Sequence, residues 1–193
     1  MANKKIGLFF GSFNPIHIGH LIIANYMANF TELDEVWFVV SPQNPFKEKK
    51  SLGNMYDRLE MVNLAIEGSD KLRASDIEFS LPQPSYTIDT LVYLQEKHPN
   101  RDFVLIMGED NLAGFLKWKN ADIILRDYNI IVYPRPGYDG GELKNHPSVT
   151  ITDTPVMELS STFVRQAIKQ SKNIKFFIPD KVIDFIDKKG LYL

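Results

Sequence analysis

Ile6-Gly7-Leu8-Phe9-Phe10 runs into Gly11-Ser12-Phe13-Asn14-Pro15-Ile16-His17-Ile18-Gly19-His20, which continues as Leu21-Ile22-Ile23-Ala24-Asn25-Tyr26-Met27-Ala28. The first run has strand character and the last has helix character, so the ten residues between them form a strand-to-helix turn. A glycine turn, a proline and two histidines three apart at such a junction point to a phosphate site. Main-chain amides and a helix N-terminus face an anion there, and two imidazoles can donate to it. A histidine pair by itself fits an ordinary surface turn equally well; the whole string is more specific. Zinc is a poor fit, because a third and fourth ligand are missing and His98 and His146 fall in loop-like segments.

Working outward, strand-length apolar runs alternate with helix-period segments. The pattern predicts strands at Lys5 to Phe10, Glu35 to Ser41, Leu72 to Phe79 (weaker), Phe103 to Met107 and Asn129 to Tyr133. Helices are predicted at Ile18 to Phe30, Met55 to Ile66, Tyr86 to Lys97, Asp110 to Phe115 and Ala121 to Arg126. A Pro- and Lys-rich loop spans Pro42 to Gly53, and Pro134 to Gly141 reads as another. Continuous apolar strands, each followed by a helix, imply a parallel sheet covered on both faces: a doubly wound α/β fold with ligands at the carboxyl ends of its strands. Ser160 to Lys169 and Asp180 to Lys188 read as a C-terminal helical extension. A single domain is expected, with residues 1–157 as the core and 158–193 as the helical part.

Composition narrows the function. The 193 residues are 44% hydrophobic, enough for a real core, and the formal net charge of −2 argues against a general nucleic-acid binder. Zero cysteines exclude disulfides, thiolate metal sites and cysteine nucleophiles. The first apolar run is too short for a signal h-region or a membrane span, so a cytoplasmic protein without membrane association is expected.

The string Gly11 to His20 resembles the glycine-loop and His-x-Gly-His signature of the nucleotidylyltransferase superfamily. Over nearly its whole length, from Lys5 to Gly190-Leu191-Tyr192, the chain is similar to the bacterial nicotinate-nucleotide adenylyltransferases. That resemblance implies a Rossmann-like fold and a reaction joining ATP to nicotinate mononucleotide, with pyrophosphate as the other product. It assigns Gly11, Ser12, Phe13, His17, Gly19 and His20 to ATP. Where the family more often reads Gly-Thr-Phe-Asp-Pro, this chain has Ser12 and Asn14; the serine keeps a hydroxyl and the asparagine removes a charge while keeping the turn chemistry.

Leu159-Ser160-Ser161-Thr162-Phe163-Val164-Arg165 is a helix start whose hydroxyls fit plain N-capping, and equally a second anion seat with an arginine one turn in. It matches the family's Ser-Ser-Thr-x-x-Arg element, which implies ATP phosphate contacts from Ser160, Ser161, Thr162 and Arg165. Pro84-Ser85-Tyr86-Thr87 matches the element that holds the nicotinate end of the mononucleotide. A carboxylate suits a helix start with free amides and hydroxyls better than a neutral amide does. Trp118, flanked by Lys117 and Lys119, matches the tryptophan that stacks on the pyridine ring, a favourable cation–π arrangement. Gly108-Glu109-Asp110-Asn111 matches a strand-end element in which Asp110 accepts from ribose hydroxyls. Asn44-Pro45-Phe46-Lys47 resembles a Pro-His-Lys loop, with Phe46 in place of the histidine and Lys47 left to face phosphate; Asn44 is assigned to the mononucleotide. Lys47, Lys49 and Lys50 with Glu48 fit a solvated loop face just as well. Arg58 and Arg135 occupy positions similar to substrate-contacting arginines.

His17, His20, Arg165 and Lys47 are thus the expected catalytic groups, with no protein-held metal and Mg²⁺ arriving with ATP. Competing readings are an adenylyltransferase for nicotinamide mononucleotide or phosphopantetheine, and a nucleotide-binding regulatory module without turnover. The expected partners are the small-molecule substrates; a homo-oligomer is compatible with these motifs.

Overall fold

The computed structural model describes residues 3–43 and 52–193. Six strands, β1 (Lys4–Gly11), β2 (Glu35–Val40), β3 (Leu72–Ser75), β4 (Arg101–Gly108), β5 (Asn129–Tyr133) and β6 (Val149–Ile151), form one sheet in the order β3-β2-β1-β4-β5-β6. Every neighbouring pair is parallel. β1 lies between β2 and β4, so the strand order reverses direction at β1. The crevice beyond the carboxyl ends of β1 and β4 is therefore the topological switch point of a doubly wound sheet.

Strand alternation sorts the core onto two faces. Ile6 and Leu8, Trp37 and Val39, and Phe103, Leu105 and Met107 project to one side. They pack against Ile88, Leu91 and Leu94 of α3 (Thr87–Lys97), Leu112 of α4 (Glu109–Leu112), and Ala121, Ile124 and Leu125 of α5 (Ala121–Asp127). Phe9, Val36, Phe38, Val40, Val104 and Ile106 project to the other side, under α1 (Ile18–Phe30), α2 (Met55–Ala65), α6 (Ser161–Lys169) and α7 (Asp180–Lys189). This is why the strands read as continuous apolar runs: all six residues of β2 are buried. Val164 and Val182 at 0% and Ile186 at 1% exposure belong to the same core as Phe9 and Phe13. The C-terminal helices therefore complete one layer of the sandwich, at about 1.5–3 kcal/mol for each fully buried apolar side chain.

Two sequence expectations change. The strand predicted from Leu72 to Phe79 stops at Ser75, and Ile77–Ser80 forms a 3₁₀ turn. β3 is an edge strand with only β2 to pair with, and its ladder ends at Val39 opposite Ser75, leaving Glu78 to turn inward. The sheet also does not end at β5. The three-residue β6 extends it, too short to show a period, with only Val149 buried.

Candidate active site

A cavity of about 780 Å³ opens at the switch point, lined at its centre by Gly11, Met107 and Tyr133 from the carboxyl ends of β1, β4 and β5. At one end lies the turn from β1 to α1. Phe13 is 1% exposed and takes the left-handed conformation, with φ +43°, unusual for a bulky residue. Its ring sits edge-on to Phe9, Phe38 and His20. A β-carbon at position 11 would come within 2.7 Å of that ring, so the turn requires Gly11. His17, the N-cap of α1, is 4% exposed and stacks on His20 with ring centroids 3.6 Å apart. The pair closes the helix start. His17 N–H donates to His20 Nδ1 at 3.2 Å and His20 N–H to the His17 carbonyl at 2.9 Å. That bond leaves the proton of a neutral His20 on Nε2. Burial, and then the charge of Arg135, hold the His17 imidazole down to about 4, so it is neutral at pH 7.

The start of α6 meets this turn. Ser160 caps α6 by accepting from Phe163 N–H at 3.2 Å, so the capping and cleft-lining readings of Ser160 hold together. Ser161 Oγ donates to the Pro15 carbonyl at 2.8 Å, and Arg165 Nη1 to the Asn14 carbonyl at 2.8 Å. Arg165 Nη2 also reaches Thr162 Oγ1 at 3.3 Å. Two helix starts and one guanidinium thus converge on one end of the cavity.

The opposite end is built differently. α3 begins at Thr87 with Tyr86 as N-cap and no side-chain cap, so its first amides keep their donor capacity. Ser85, Tyr86 and Thr87 all line the cleft, as does half-buried Trp118, whose ring packs at 5.1 Å from Phe115. Lys119 ties this segment to α3. Its Nζ lies 2.9 and 3.0 Å from the two oxygens of Asp89 and 4.7 Å from the centre of the Tyr86 ring. Glu78, 3% exposed, also lines this end and accepts from Thr90 Oγ1 at 2.9 Å. Burial pushes its carboxyl above the usual range, opposed by hydrogen bonds from Thr90, Ser41 and Ser85. Sequence reasoning missed Glu78, because it lies inside a run that reads as strand.

Between the two ends, Arg135 Nε and Asp110 Oδ1 face each other at 3.7 Å, within ion-pair range but beyond hydrogen-bond range. Both atoms are buried and without a hydrogen-bond partner. The loop carrying Arg135 is pinned by its own main-chain N–H, which donates to Glu109 Oε2 at 2.9 Å.

The cavity brings together Gly11, Ser12, Phe13, His17, His20, Ser85, Tyr86, Thr87, Asp110, Trp118, Arg135, Ser160, Ser161, Thr162 and Arg165. Two of the expected residues do not line it. Arg58 does not line it: the side chain is 0% exposed and, among the described residues, its hydrogen bonds go to main-chain carbonyls. Nε bonds Gly53 at 3.0 Å, Nη1 bonds Ser12 at 2.6 Å and Ser41 at 2.8 Å, and Nη2 bonds Pro42 at 3.1 Å. With four of its five N–H donors on these carbonyls, it holds the loops together. Gly19 is buried behind the histidines, where a β-carbon would press on the His17 ring at 3.1 Å; its small size serves the histidine pair. Asn44 and Lys47 lie outside the described residues.

The sequence model of the cytidylyltransferase-like family matches residues 8–167. A relative from Christiangramia forsetii named "Probable nicotinate-nucleotide adenylyltransferase" is 54% identical over 98% of this chain and 99% of its own length. One of the same name from Cytophaga hutchinsonii is 54% identical over 97% of this chain and 98% of its own. Among solved structures, the Plasmodium falciparum nicotinic acid mononucleotide adenylyltransferase complexed with NaAD superimposes with a TM-score of 0.83 at 26% identity, covering 98% of this chain and 97% of that one. The same enzyme complexed with APC gives 0.82. With its strand order, its paired histidines and the α6 start already in place, this chain belongs to the nicotinate-nucleotide adenylyltransferase family.

Proposed function

We propose that this protein transfers the adenylyl group of ATP to nicotinate mononucleotide, releasing pyrophosphate and nicotinate adenine dinucleotide in NAD biosynthesis. The observation that carries this reading is the two-ended cleft. Two helix starts with His17, His20 and Arg165 form one end, and an uncapped helix start beside Trp118 forms the other. A polyphosphate suits the first end; a planar ring bearing a single carboxylate suits the second. Relatives sharing about half of the residues carry this activity in their names.

The reaction makes modest demands on the protein. The attacking group is a phosphate monoester with a second pKa of about 6, already largely dianionic at pH 7. Its oxygen forms a bond to the α-phosphorus of ATP as the bond to the pyrophosphate oxygen breaks, and the leaving group takes that electron pair. No general base and no covalent side-chain nucleophile is needed. The site must align two anions that repel and stabilise the charge gathering on the leaving group. His20, Arg165 and the amides at the starts of α1 and α6 are suited to the triphosphate. His17, neutral in the free protein, offers an N–H donor without a second fixed charge beside Arg135. Asp110 is suited to ribose hydroxyls, and Arg135, 3.7 Å away, to a phosphate entering between them. The amides of α3 with the Thr87 hydroxyl fit the nicotinate carboxylate, with Ser85 held beside them by its bond to Glu78, and Trp118 fits the ring.

Mg²⁺ would be held largely by the phosphates and water, with few protein ligands, and would neutralise charge on the triphosphate. No helix among the described residues is long and apolar enough to cross a membrane; ATP and the mononucleotide are cytoplasmic solutes, which supports a cytoplasmic enzyme. Incubation with ATP, Mg²⁺ and nicotinate mononucleotide should release pyrophosphate and form the dinucleotide in equal amounts. ATP binding without pyrophosphate release would mark a regulatory module instead.

A further inference from the structure

The turn from Ser12 to Pro15 is held from behind by groups far away in sequence, and one of them has no part in the reaction described above. Tyr192 Oη donates to Asn14 Oδ1 at 2.8 Å, and Gly53 N–H donates to the same oxygen at 3.2 Å. The Asn14 carbonyl takes Arg165 Nη1 at 2.8 Å. Asn14 is 4% exposed, so these bonds form out of water, where each is stronger and an unmade one costs more. The chain is bent to deliver the hydroxyl. Gly190, with φ +62°, ends α7, Leu191 N–H returns to the Ile186 carbonyl at 3.0 Å, and Tyr192 itself adopts φ +67°, a conformation disfavoured for a tyrosine. Burial pushes the Tyr192 phenol well above its usual range, so it remains a hydrogen-bond donor at any working pH.

We propose that Tyr192 is a positioning residue for adenylyl transfer, fixing Asn14 so that its carbonyl sets the place of Arg165 and its peptide sets the turn that leads to His17. The Tyr192 hydroxyl touches no reacting atom in this account. It acts through Asn14, whose side chain and carbonyl link α7, the Gly53 segment and α6 at one residue. Arg58 steadies the same turn at the Ser12 carbonyl, 2.6 Å from Nη1, so Asn14 is the point at which a gentle substitution can test the linkage.

This inference rests on the adenylyl-transfer reading, and the test separates the two. Tyr192→Phe keeps the ring and removes only the hydroxyl; Gly53 N–H still satisfies Asn14, so folding should survive with a melting temperature within a few degrees of wild type. Misplacing Arg165 should weaken calorimetric binding of a non-hydrolysable ATP analogue with Mg²⁺ by about fivefold, and lower kcat/KM for ATP by about tenfold. KM for the mononucleotide should stay within about twofold, since its contacts lie at the other end of the cleft. Asn14→Asp retains the acceptor and should keep near-wild-type ATP binding, whereas Asn14→Ala should weaken it as Tyr192→Phe does, and the double variant should be no worse than Asn14→Ala alone. Wild-type affinity for the analogue in Tyr192→Phe would overturn the proposal, as would additive losses in the double variant or equal losses for both substrates. If the wild-type protein released no pyrophosphate, the adenylyl-transfer reading would fall, and analogue binding would still decide the role of Tyr192.

Discussion

On the proposed function, the two ends of the cleft solve the same problem, holding an anion at a helix start, in opposite ways. At the phosphate end one N–H at each helix start is taken by a side chain, that of His17 by His20 and that of Phe163 by Ser160, and positive charge is added by Arg165. At the nicotinate end α3 carries no side-chain cap, and the nearest buried titratable group is an acid, Glu78, which takes hydroxyl hydrogen bonds from Thr90, Ser41 and Ser85. Those hydroxyls have their protons committed to Glu78, which leaves the main-chain amides and the Thr87 hydroxyl as donors for a ligand. A triphosphate spreads several charges over many oxygens and is held by field and number. A single carboxylate is held by directed donors at one place. On that reading the contrast teaches that charge would supply binding and catalysis at one end and geometry would supply selection at the other.

Substitutions at the two ends should therefore fail differently. The largest effect is expected at the histidines. His17→Ala or His20→Ala should lower kcat by about 10²-fold or more with the fold retained, as for loss of a transition-state hydrogen bond. Wild-type turnover in either would remove that histidine from the reaction. Trp118→Ala should act at the other end, raising KM for the mononucleotide by about tenfold through lost stacking and leaving KM for ATP within about twofold. Equal changes in both constants would dissolve the separation of the ends. The smallest effect is a titration. In the free protein the His17 imidazole should titrate near pH 4, followed by its NMR signals, and remain neutral from pH 5 to 8. The sign of the linked stability follows. Between the ordinary histidine value of 6.5 and about 4, the unfolded chain takes up a proton that the folded chain refuses, so His17 costs stability as pH falls through that window. A His17 pKa near 6.5 would contradict its burial against Arg135.

What the sequence made legible follows from where the signals lie. β1, β2 and β4 are buried on both faces, so their apolar runs announced strands and a parallel sheet; α1 was readable to its end residues because the turn before it and its own last residue, Phe30, bound one apolar segment. β6 was not readable, since three residues on a sheet edge with one buried side chain carry no pattern. Most site residues were legible as contiguous motifs at strand ends and helix starts. The contacts of Arg58, Asn14 and Tyr192 were not legible, because their partners are main-chain atoms or groups remote in sequence. Arg58 bonds the Ser12 carbonyl 46 residues away, and Tyr192 meets Asn14 across 178 residues. A hydrogen bond to a carbonyl leaves no trace in the partner's residue type, so only the fold reveals it. Glu78 was hidden for a related reason: its alternation with Ile77 and Phe79 mimics a strand, and the inward turn is imposed by Thr90 on a helix that follows.

The central claim, that the α3 end of the cleft selects a carboxylate, is tested most directly by comparing kcat/KM for the acid and amide mononucleotides at saturating ATP and Mg²⁺. Directed, charge-assisted hydrogen bonds from an uncapped helix start predict that the acid is favoured by about tenfold or more. Near-equal values for acid and amide would contradict the account.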